Sequence, residues 1–252
     1  LQGMREAAGV VSAEVAANGA RPDGSLALAG LVRASPIEVV SQPLFNPTGG
    51  YASYIVPAAF VLILQQTLLM GSAMLGGIAF EEDGAAARRR RGTARAILGQ
   101  TLAHLCAASP GAALYLFILP RLYGFSTLGN PLDIVAMAVP FLIASSLLGQ
   151  FVGEWFERRE TAVLVFVATS VPLFFMVGVA WPLESIPDAL RNASRAFPST
   201  SAIDGLVRIN QMGASLQDVT GDWKTLWMLT AVYAALAVMA ATVMRRRETQ
   251  NG

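Results

Sequence analysis

The chain has 252 residues, of which 54% are hydrophobic and only 14% are charged. An ordinary soluble domain carries roughly 25% charged residues, whereas the stretch from Val39 to Phe80 contains no Asp, Glu, Lys or Arg. This composition excludes most soluble folds and predicts a polytopic membrane protein. The net charge of +1 comes with no basic stripe, which excludes a nucleic-acid partner. The single cysteine, Cys106, excludes a disulfide framework and a multi-cysteine metal site.

Five segments reach the length of roughly 20 apolar residues that a bilayer-spanning helix requires. The sequence therefore predicts an all-α integral membrane fold whose transmembrane domain covers residues 54–252. Pro110, Pro140 and Pro172 fall inside spans, where they kink a helix without breaking it. The five predicted transmembrane helices lie at about 56–80, 96–119, 134–153, 161–183 and 225–244.

Residues 1–53 form an extracytoplasmic segment of mixed character. The sequence Arg21-Pro22-Asp23-Gly24 predicts a turn, and Ile37-Glu38-Val39-Val40 predicts a short strand. The segment is too short to bury a sizeable core alone, so we expect it to be the end of a larger external domain. We also expect an earlier transmembrane helix to precede it, which gives six in the full-length protein.

The loop between the fourth and fifth spans, residues 182–222, contains two helical patterns. The first is expected to begin around Ser185-Ile186-Pro187-Asp188 and to stop at Phe197-Pro198, and the second is expected to end at Gly213. These patterns predict two short amphipathic helices. Such a pair either lies on the outer surface or enters the membrane as a re-entrant hairpin, and the sequence leaves both open.

Arginine residues are concentrated in alternate connections between the spans. The opposite loops carry fewer basic residues over a longer stretch, so the positive-inside rule places the arginine-rich side in the cytoplasm. This orientation predicts a cytoplasmic C-terminus and puts residues 1–53 outside. The ten arginines on the predicted cytoplasmic side are Arg88, Arg89, Arg90, Arg91, Arg95, Arg158, Arg159, Arg245, Arg246 and Arg247.

The first cytoplasmic loop, residues 81–95, is acidic at its start and basic afterwards. Its arginine run has two compatible interpretations. One is a topological anchor that also contacts anionic lipid. The other is a docking surface for a cytoplasmic partner. An Asp83 cap followed by three alanines also predicts a short helix along the membrane surface.

Two features that the sequence lacks reduce the number of transporter classes to which the chain could belong. The chain has no glycine-rich phosphate loop ending in lysine, because its only lysine is Lys224, so it cannot bind ATP in the usual P-loop manner. The middle of each predicted span also lacks Asp, Glu, Lys and Arg. Ion-coupled transporters normally place such a group within the membrane, which disfavours a self-powered secondary transporter.

The polar residues within the spans are neutral, and two roles are open for them. They either form interhelical hydrogen bonds or line a substrate path. The same alternatives apply to Ser145 and Ser146. The candidate residues for a substrate path are Gln65, Gln66, Gln100, His104 and Gln150.

His104 is the lone histidine and has no second histidine or carboxylate on its helix, so no metal site is predicted. An intramembrane hydrolase that uses His104 with Ser109 or Ser145 remains an alternative function. Small residues also recur four apart in the first span, as Ser72 with Gly76 and Ala73 with Gly77. This spacing predicts close approach of a second helix.

Several motifs resemble one known family, the permease subunits of ATP-binding-cassette exporters of the second type (ABC-2), in the YhhJ-like drug-efflux branch. The resemblance covers nearly the whole chain. The motifs that carry it are Leu44-Phe45-Asn46-Pro47 with Tyr51, Tyr54 and Val56-Pro57; Arg91-Gly92-Thr93; and Phe197-Pro198-Ser199-Thr200 followed by Arg208-Ile209 and Gln211-Met212-Gly213-Ala214.

The resemblance implies six helices with a large external domain between the first two. It implies a cytoplasmic coupling segment, whose candidate residues are Glu81, Glu82, Arg88, Arg89, Arg90, Arg91, Gly92 and Thr93. It also implies an exporter of a lipid-like or drug-like substrate in a bacterial inner membrane. This chain would hold no cofactor, because ATP and Mg²⁺ would bind a separate nucleotide-binding subunit. The other expected partners are a second permease copy or paralogue, membrane lipid and a periplasmic membrane-fusion protein. A non-transporting assembly or scaffold protein is a further alternative.

Overall fold

The computed structural model describes residues 52–84, 86, 93–177 and 187–250, and every regular element in these ranges is a helix. Five helices are long and apolar enough to cross a membrane, as the sequence predicted. The predicted turn and strand of residues 1–51, and the surface helix after Asp83, lie outside the described residues. The elements in chain order are α1 (Ala52–Asp83), α2 (Ala94–Leu122), α3 (Pro131–Gly153), α4 (Arg159–Met176), the short helices α5 (Asp188–Ser194) and α6 (Pro198–Met212), and α7 (Thr220–Gln250).

Most helices extend beyond the predicted spans because hydropathy marks only their apolar part. Helix α1 continues to Asp83, and α7 begins at Thr220 and continues past the arginines that close its span. The described part of α4 ends at Met176, before the predicted end of this span at residue 183, and residues 178–186 lie outside the described ranges. Successive long helices run in opposite directions, so the connections between them lie alternately at the two ends of the bundle. We call one the arginine end (Glu81, residues 154–158 and Arg245–Arg247) and the other the loop end (residues 123–130 and 213–219).

Helices α1 and α3 cross at small residues, so their backbones touch. A Cβ atom added to Gly153 would lie 2.7 Å from Ala73 Cα, and one added to Gly76 would lie 2.6 Å from the carbonyl oxygen of Gly153. At Gly149 an added Cβ would lie 2.8 Å from the carbonyl oxygen of Leu69. The four-residue spacing of small side chains in α1 therefore produces the close helix approach that the sequence predicted.

Helix α3 lies at the centre of the bundle, and it is buried along most of its length. Its side chains pack against α1, α6 and α7, and Met137, Phe141 and Ala144 have no exposed surface. Helices α2 and α4 are peripheral by comparison, since Leu102 and Leu164 are 64% and 70% exposed. The bundle therefore has a packed centre and two loosely covered outer helices.

Two of the prolines have their lost backbone hydrogen bond replaced by a side chain. Pro110 cannot donate to the carbonyl oxygen of Cys106, and the hydroxyl of Ser109 donates to that oxygen at 2.8 Å. Pro140 cannot donate to the carbonyl oxygen of Ala136, and Trp223 Nε1 of α7 donates to it at 3.0 Å. Such substitution is how helices in an apolar solvent tolerate proline. On the C-terminal side of Pro110, α2 continues through a π-helical segment, residues 114–118, before its last turn.

Helix α6 is inserted into the bundle. Its first turn meets the middle of α1, where the backbone N–H of Ser199 donates to Gln65 Oε1 at 2.6 Å. Its last turn reaches the loop end, where Leu128 N–H donates to the carbonyl oxygen of Asn210 at 2.7 Å. Gln65 lies 13 residues into α1, or about 20 Å along its axis. The hydroxyl of Tyr233, at a similar depth in α7, donates to the carbonyl oxygen of Ala196.

The predicted end of α6 is confirmed, because Gly213 follows Met212 with φ of +69°. The predicted helix stop at Phe197-Pro198 is wrong. Helix α5 ends at Ser194, and Pro198 is the first residue of α6. A proline is favoured at this position because the first N–H of a helix has no acceptor within the helix. Residues 195–197 join the two short helices, and α6 leads from the bundle interior to the loop end. We call this pair the α5–α6 hairpin.

Replacing Gly153 by alanine tests the backbone contact between α1 and α3. The new methyl group would overlap Ala73, and we expect G153A to lower the free energy of unfolding by about 1–3 kcal/mol. Reversible unfolding in mixed detergent micelles measures this change. Gly71→Ala is the matched control, because an added Cβ at Gly71 meets nothing within 4 Å. Equal effects of both variants would contradict the close crossing.

Replacing Trp223 by phenylalanine tests the compensation of Pro140. Loss of the indole N–H leaves the carbonyl of Ala136 without this donor, and we expect W223F to destabilise the fold by about 1 kcal/mol. In a Pro140→Ala background the backbone N–H is restored, so the same substitution should cost less. A double-mutant cycle of unfolding free energies measures the coupling. Trp227→Phe, at a 40% exposed position, serves as the control.

Candidate functional site

Five buried polar side chains form a hydrogen-bonded network that joins α1, α2 and α3. His104 Nδ1 lies 3.2 Å from Ser72 Oγ and 2.8 Å from Ser146 Oγ. Gln150 Nε2 donates to Ser146 Oγ at 3.2 Å and to Thr101 Oγ1 at 2.9 Å. All five side chains are at most 8% exposed. We call this set the His104 network.

Helical periodicity and the α1–α3 crossing together assemble the His104 network. Thr101 and His104 lie three residues apart on α2, and Ser146 and Gln150 lie four apart on α3, so each pair shares one helix face. An added Cβ at Gly149 would lie 2.8 Å from Ser72 Cβ. The small residue in α3 therefore allows Ser72 of α1 to reach His104.

The structure brings serines to His104, but not the two that the hydrolase alternative named. Ser109 donates to the carbonyl oxygen of Cys106, and Ser145 lies outside the network formed by its neighbour Ser146. The two serines that do reach the ring, Ser72 and Ser146, share one nitrogen and are at most 1% exposed. Both hydroxyls meet the same Nδ1 atom, and Ser146 also accepts from Gln150, so the contacts link three helices. The observed contacts fit a structural network better than a nucleophilic pair.

The remaining candidate path residues occupy different surroundings. Gln65 is fully buried and accepts the α6 hydrogen bond already described, so it joins α1 to the hairpin. Gln66 is half-buried and donates from Nε2 to the carbonyl oxygen of Phe166 in α4 at 3.3 Å. Gln100 is half-buried on α2. Gln66 and His104 line two different grooves.

Two open apolar grooves flank α1. The larger, of about 690 Å³, lies between α1 and α4, and we call it the α1–α4 groove. The smaller, of about 540 Å³, lies between α1 and α2 and reaches Ser72 and His104. Thr67, Gly71 and Met74 border both. The polar side chains of the α1–α4 groove are Gln66, Thr67 and Ser170, and its apolar lining includes Leu62, Ile63, Met70, Val171, Phe174 and Phe175.

At the arginine end, α1 contacts the beginning of α4. Glu81 Oε1 accepts from the backbone N–H of Arg159 at 3.1 Å, and Glu81 Oε2 lies 3.5 Å from Arg159 Nε. Of the other predicted coupling residues, Glu82 is exposed and Thr93 caps α2 by accepting from Ala96 N–H at 3.2 Å. Arg88, Arg89, Arg90, Arg91 and Gly92 lie outside the described residues.

At the loop end, ionic contacts fasten α6 to the start of α7. Arg208 lies 3.6 Å from Asp204 and 3.9 Å from Asp222, and it donates to the carbonyl oxygen of Asp218 at 3.2 Å. The carboxylate of Asp218 accepts from the N–H and hydroxyl of Ser215 at 2.9 and 2.7 Å. These hydrogen bonds hold the pKa of Asp218 below its ordinary value. These contacts of Arg208 and Asp218 therefore hold the turn between α6 and α7 in place at neutral pH.

The sequence identified His104, Ser146 and Gln150 as polar candidates but missed Ser72 and Thr101, which bond to His104 and to Gln150 respectively. A signal was present, because each is a small polar residue within an apolar span. Their distances from one another depend on the helix crossing, which one span cannot encode. Within the described ranges, no group of three or more His, Cys, Asp or Glu residues could hold a metal ion.

These features define a multi-pass helical membrane protein in which several buried neutral polar side chains form hydrogen bonds between helices. The family model described as ABC-2 family transporter protein matches residues 7–239, and the chain belongs to this family. No curated protein and no solved structure shows significant similarity to it. Members of the family are membrane components of transporters and work with ATP-binding subunits.

Replacing Ser146 by alanine distinguishes a structural from a catalytic role of the His104 network. The change removes a hydroxyl that both His104 and Gln150 contact, and interhelical hydrogen bonds in membranes contribute about 1 kcal/mol. We expect S146A to lower the unfolding free energy by about that amount, and Ser145→Ala to lower it less. A fluorophosphonate probe should label neither the parent protein nor S146A. Labelling of the parent that is lost in S146A would support the hydrolase instead.

Proposed function

We infer that this chain is the permease subunit of an ATP-driven exporter, which moves a hydrophobic lipid-like or drug-like substrate out of the cytoplasm. The observation that carries the substrate class is the α1–α4 groove. Its volume of about 690 Å³ falls within the range of pockets that hold drug-sized molecules. Its lining is apolar apart from three neutral polar side chains, which suits a neutral amphiphile better than an ion.

The energy source in this proposal is a separate nucleotide-binding subunit. The chain has no P-loop lysine, and each span lacks a central charged residue that would carry a coupling ion. The coupling segment, residues 81–95, is the proposed docking site. It joins α1 to α2, and its run of four arginines presents a dense positive charge that a partner can bind. ATP binding to the docked subunit would switch the helices between inward-open and outward-open arrangements.

Orientation and assembly complete the proposal. The positive-inside rule supports a cytoplasmic arginine end and an extracytoplasmic loop end in a bacterial inner membrane. The α5–α6 hairpin is then re-entrant from the outside. A second permease copy or a paralogue would close the open side of the α1–α4 groove, and a periplasmic membrane-fusion protein would receive the substrate. Membership of the YhhJ-like drug-efflux branch remains a prediction.

Replacing Arg88, Arg89, Arg90 and Arg91 by alanine tests the docking role of the coupling segment. The change removes four positive charges from the proposed contact, and we expect the ATP hydrolysis of the co-purified complex to fall several-fold. Hydrolysis is measured in lipid nanodiscs at matched amounts of both subunits. Alanine at Arg245, Arg246 and Arg247 is the control, since it removes three charges from the same end of the bundle.

Two results would contradict this proposal. Unchanged hydrolysis in the variant of Arg88–Arg91 would refute docking through this run. The absence of any ATP-binding subunit from the complex purified out of its native membrane would instead favour the scaffold alternative.

A further inference from the structure

Helix α4 receives its N-terminal cap from another helix. The first N–H groups of a helix have no acceptor within it and are usually satisfied by a side chain just before the helix. Arg158, at that position, has extended backbone and makes no such hydrogen bond. Glu81, the third-last residue of α1, supplies the acceptor by binding the N–H of Arg159, and its negative charge lies at the positive end of the helix dipole.

Packing reinforces this contact one turn earlier in α1. An added Cβ at Gly77 would lie 2.6 Å from the backbone carbon of Arg158 and 2.6 Å from the nitrogen of Arg159. Gly77 and Glu81 are four residues apart, so they lie on the same face of α1. The start of α4 therefore rests directly on α1, with Glu81 bonded across the joint. We call this contact the Glu81–Arg159 joint.

Away from the joint, α4 packs on α1 along one face, where the carbonyl oxygen of Phe166 accepts from Gln66, and exposes the opposite face. Its buried residues are Ala162, Phe166 and Leu173, whereas Leu164 and Val171 are 70% and 61% exposed. The far half of α4 contributes one wall of the α1–α4 groove, and α1 contributes the other. Since the outer face of α4 is exposed, we expect a displacement of its first turn to shift the helix along α1 and change the width of the groove.

We propose that the Glu81–Arg159 joint transmits movement of the coupling segment to α4 and so opens and closes the α1–α4 groove. Glu81 lies in the last turn of α1, seven residues before the first arginine of the run, Arg88, and it is bonded to the backbone of α4 rather than only to an exposed side chain. Glu81 is thus a positioning residue that acts through α4. This inference rests on the proposed function, because it assigns a mechanical route between the coupling segment and the groove.

The experiment measures the width of the groove with spin labels on Ile63 of α1 and Val171 of α4. Both side chains line the groove and are exposed, and a Cys106→Ser background leaves only the two introduced cysteines. The full complex with its ATP-binding subunit is placed in nanodiscs. Pulsed electron resonance records the label distance without nucleotide and with ATP, Mg²⁺ and vanadate. In the parent complex we expect the distance distribution to shift with nucleotide.

Variants of Glu81 then test the joint. We expect Glu81→Ala to lose at least half of the nucleotide-dependent shift while ATP hydrolysis continues. Glu81→Gln keeps an acceptor for the Arg159 N–H and should retain the shift. Glu157→Ala is the matched control, because Glu157 is an exposed carboxylate at the same end of the bundle but outside the coupling segment, and it should leave the shift unchanged.

A second pair of variants keeps the test decisive if Glu81→Ala does not assemble. Arg159→Pro removes the backbone donor at a position where proline suits the first turn of a helix, and the extended backbone of Arg158 accommodates a following proline. Arg159→Ala removes the guanidinium but keeps the donor. We expect the shift to be lost in Arg159→Pro and retained in Arg159→Ala.

The outcomes separate the two levels of the hypothesis. A full shift in Glu81→Ala or in Arg159→Pro would overturn the joint as a transmission point and leave the proposed function intact. A parent complex that hydrolyses ATP without any change of the label distance would contradict nucleotide-driven gating of this groove, and with it the proposed function on which the joint depends.

Discussion

The close crossing of α1 and α3 is the constraint on which the rest of the described bundle depends. Lipid tails are as apolar as leucine, so helices in a membrane associate through van der Waals contact and hydrogen bonds rather than through the hydrophobic effect. At Ala73, Gly76, Gly149 and Gly153 the two backbones meet without space for a larger side chain. The same approach brings Ser72 within reach of His104, so the packing contact and the polar network form together.

Packing is uneven around this crossing, and the unevenness suits a transport subunit. Helix α3 is buried between α1, α6 and α7, whereas α2 and α4 expose most of their apolar surface. Both open grooves lie between the packed centre and one of these outer helices. Regions with few buried contacts open at the lowest free energy. The two open grooves therefore lie beside α2 and α4, the long helices with the smallest buried share.

The number and type of the long helices followed from the sequence, because runs of about 20 apolar residues have few alternatives in a bilayer. The small-residue spacing of α1 also predicted a real contact, since close approach needs only local information about one helix face. The stop assigned to Pro198 was wrong because a proline ends one helix or begins the next according to what surrounds it. The position of the α5–α6 hairpin could not be predicted either. It depends on two hydrogen bonds to other helices: Gln65 accepts from the N–H of Ser199, and Tyr233 donates to the carbonyl oxygen of Ala196.

The sequence by itself determined the five membrane-spanning helices of the described ranges, the lack of a P-loop lysine and the motifs of the family, since composition, span length and local motifs are properties of contiguous residues. Tertiary structure decided which polar residues meet. It joined His104 to Ser72 and Ser146, separated Gln65 from Gln66 by the contacts each makes, and gave α4 a cap from Glu81. These contacts join residues 32 to 78 positions apart, and the geometry of the helix crossings, which no single segment contains, sets their distances.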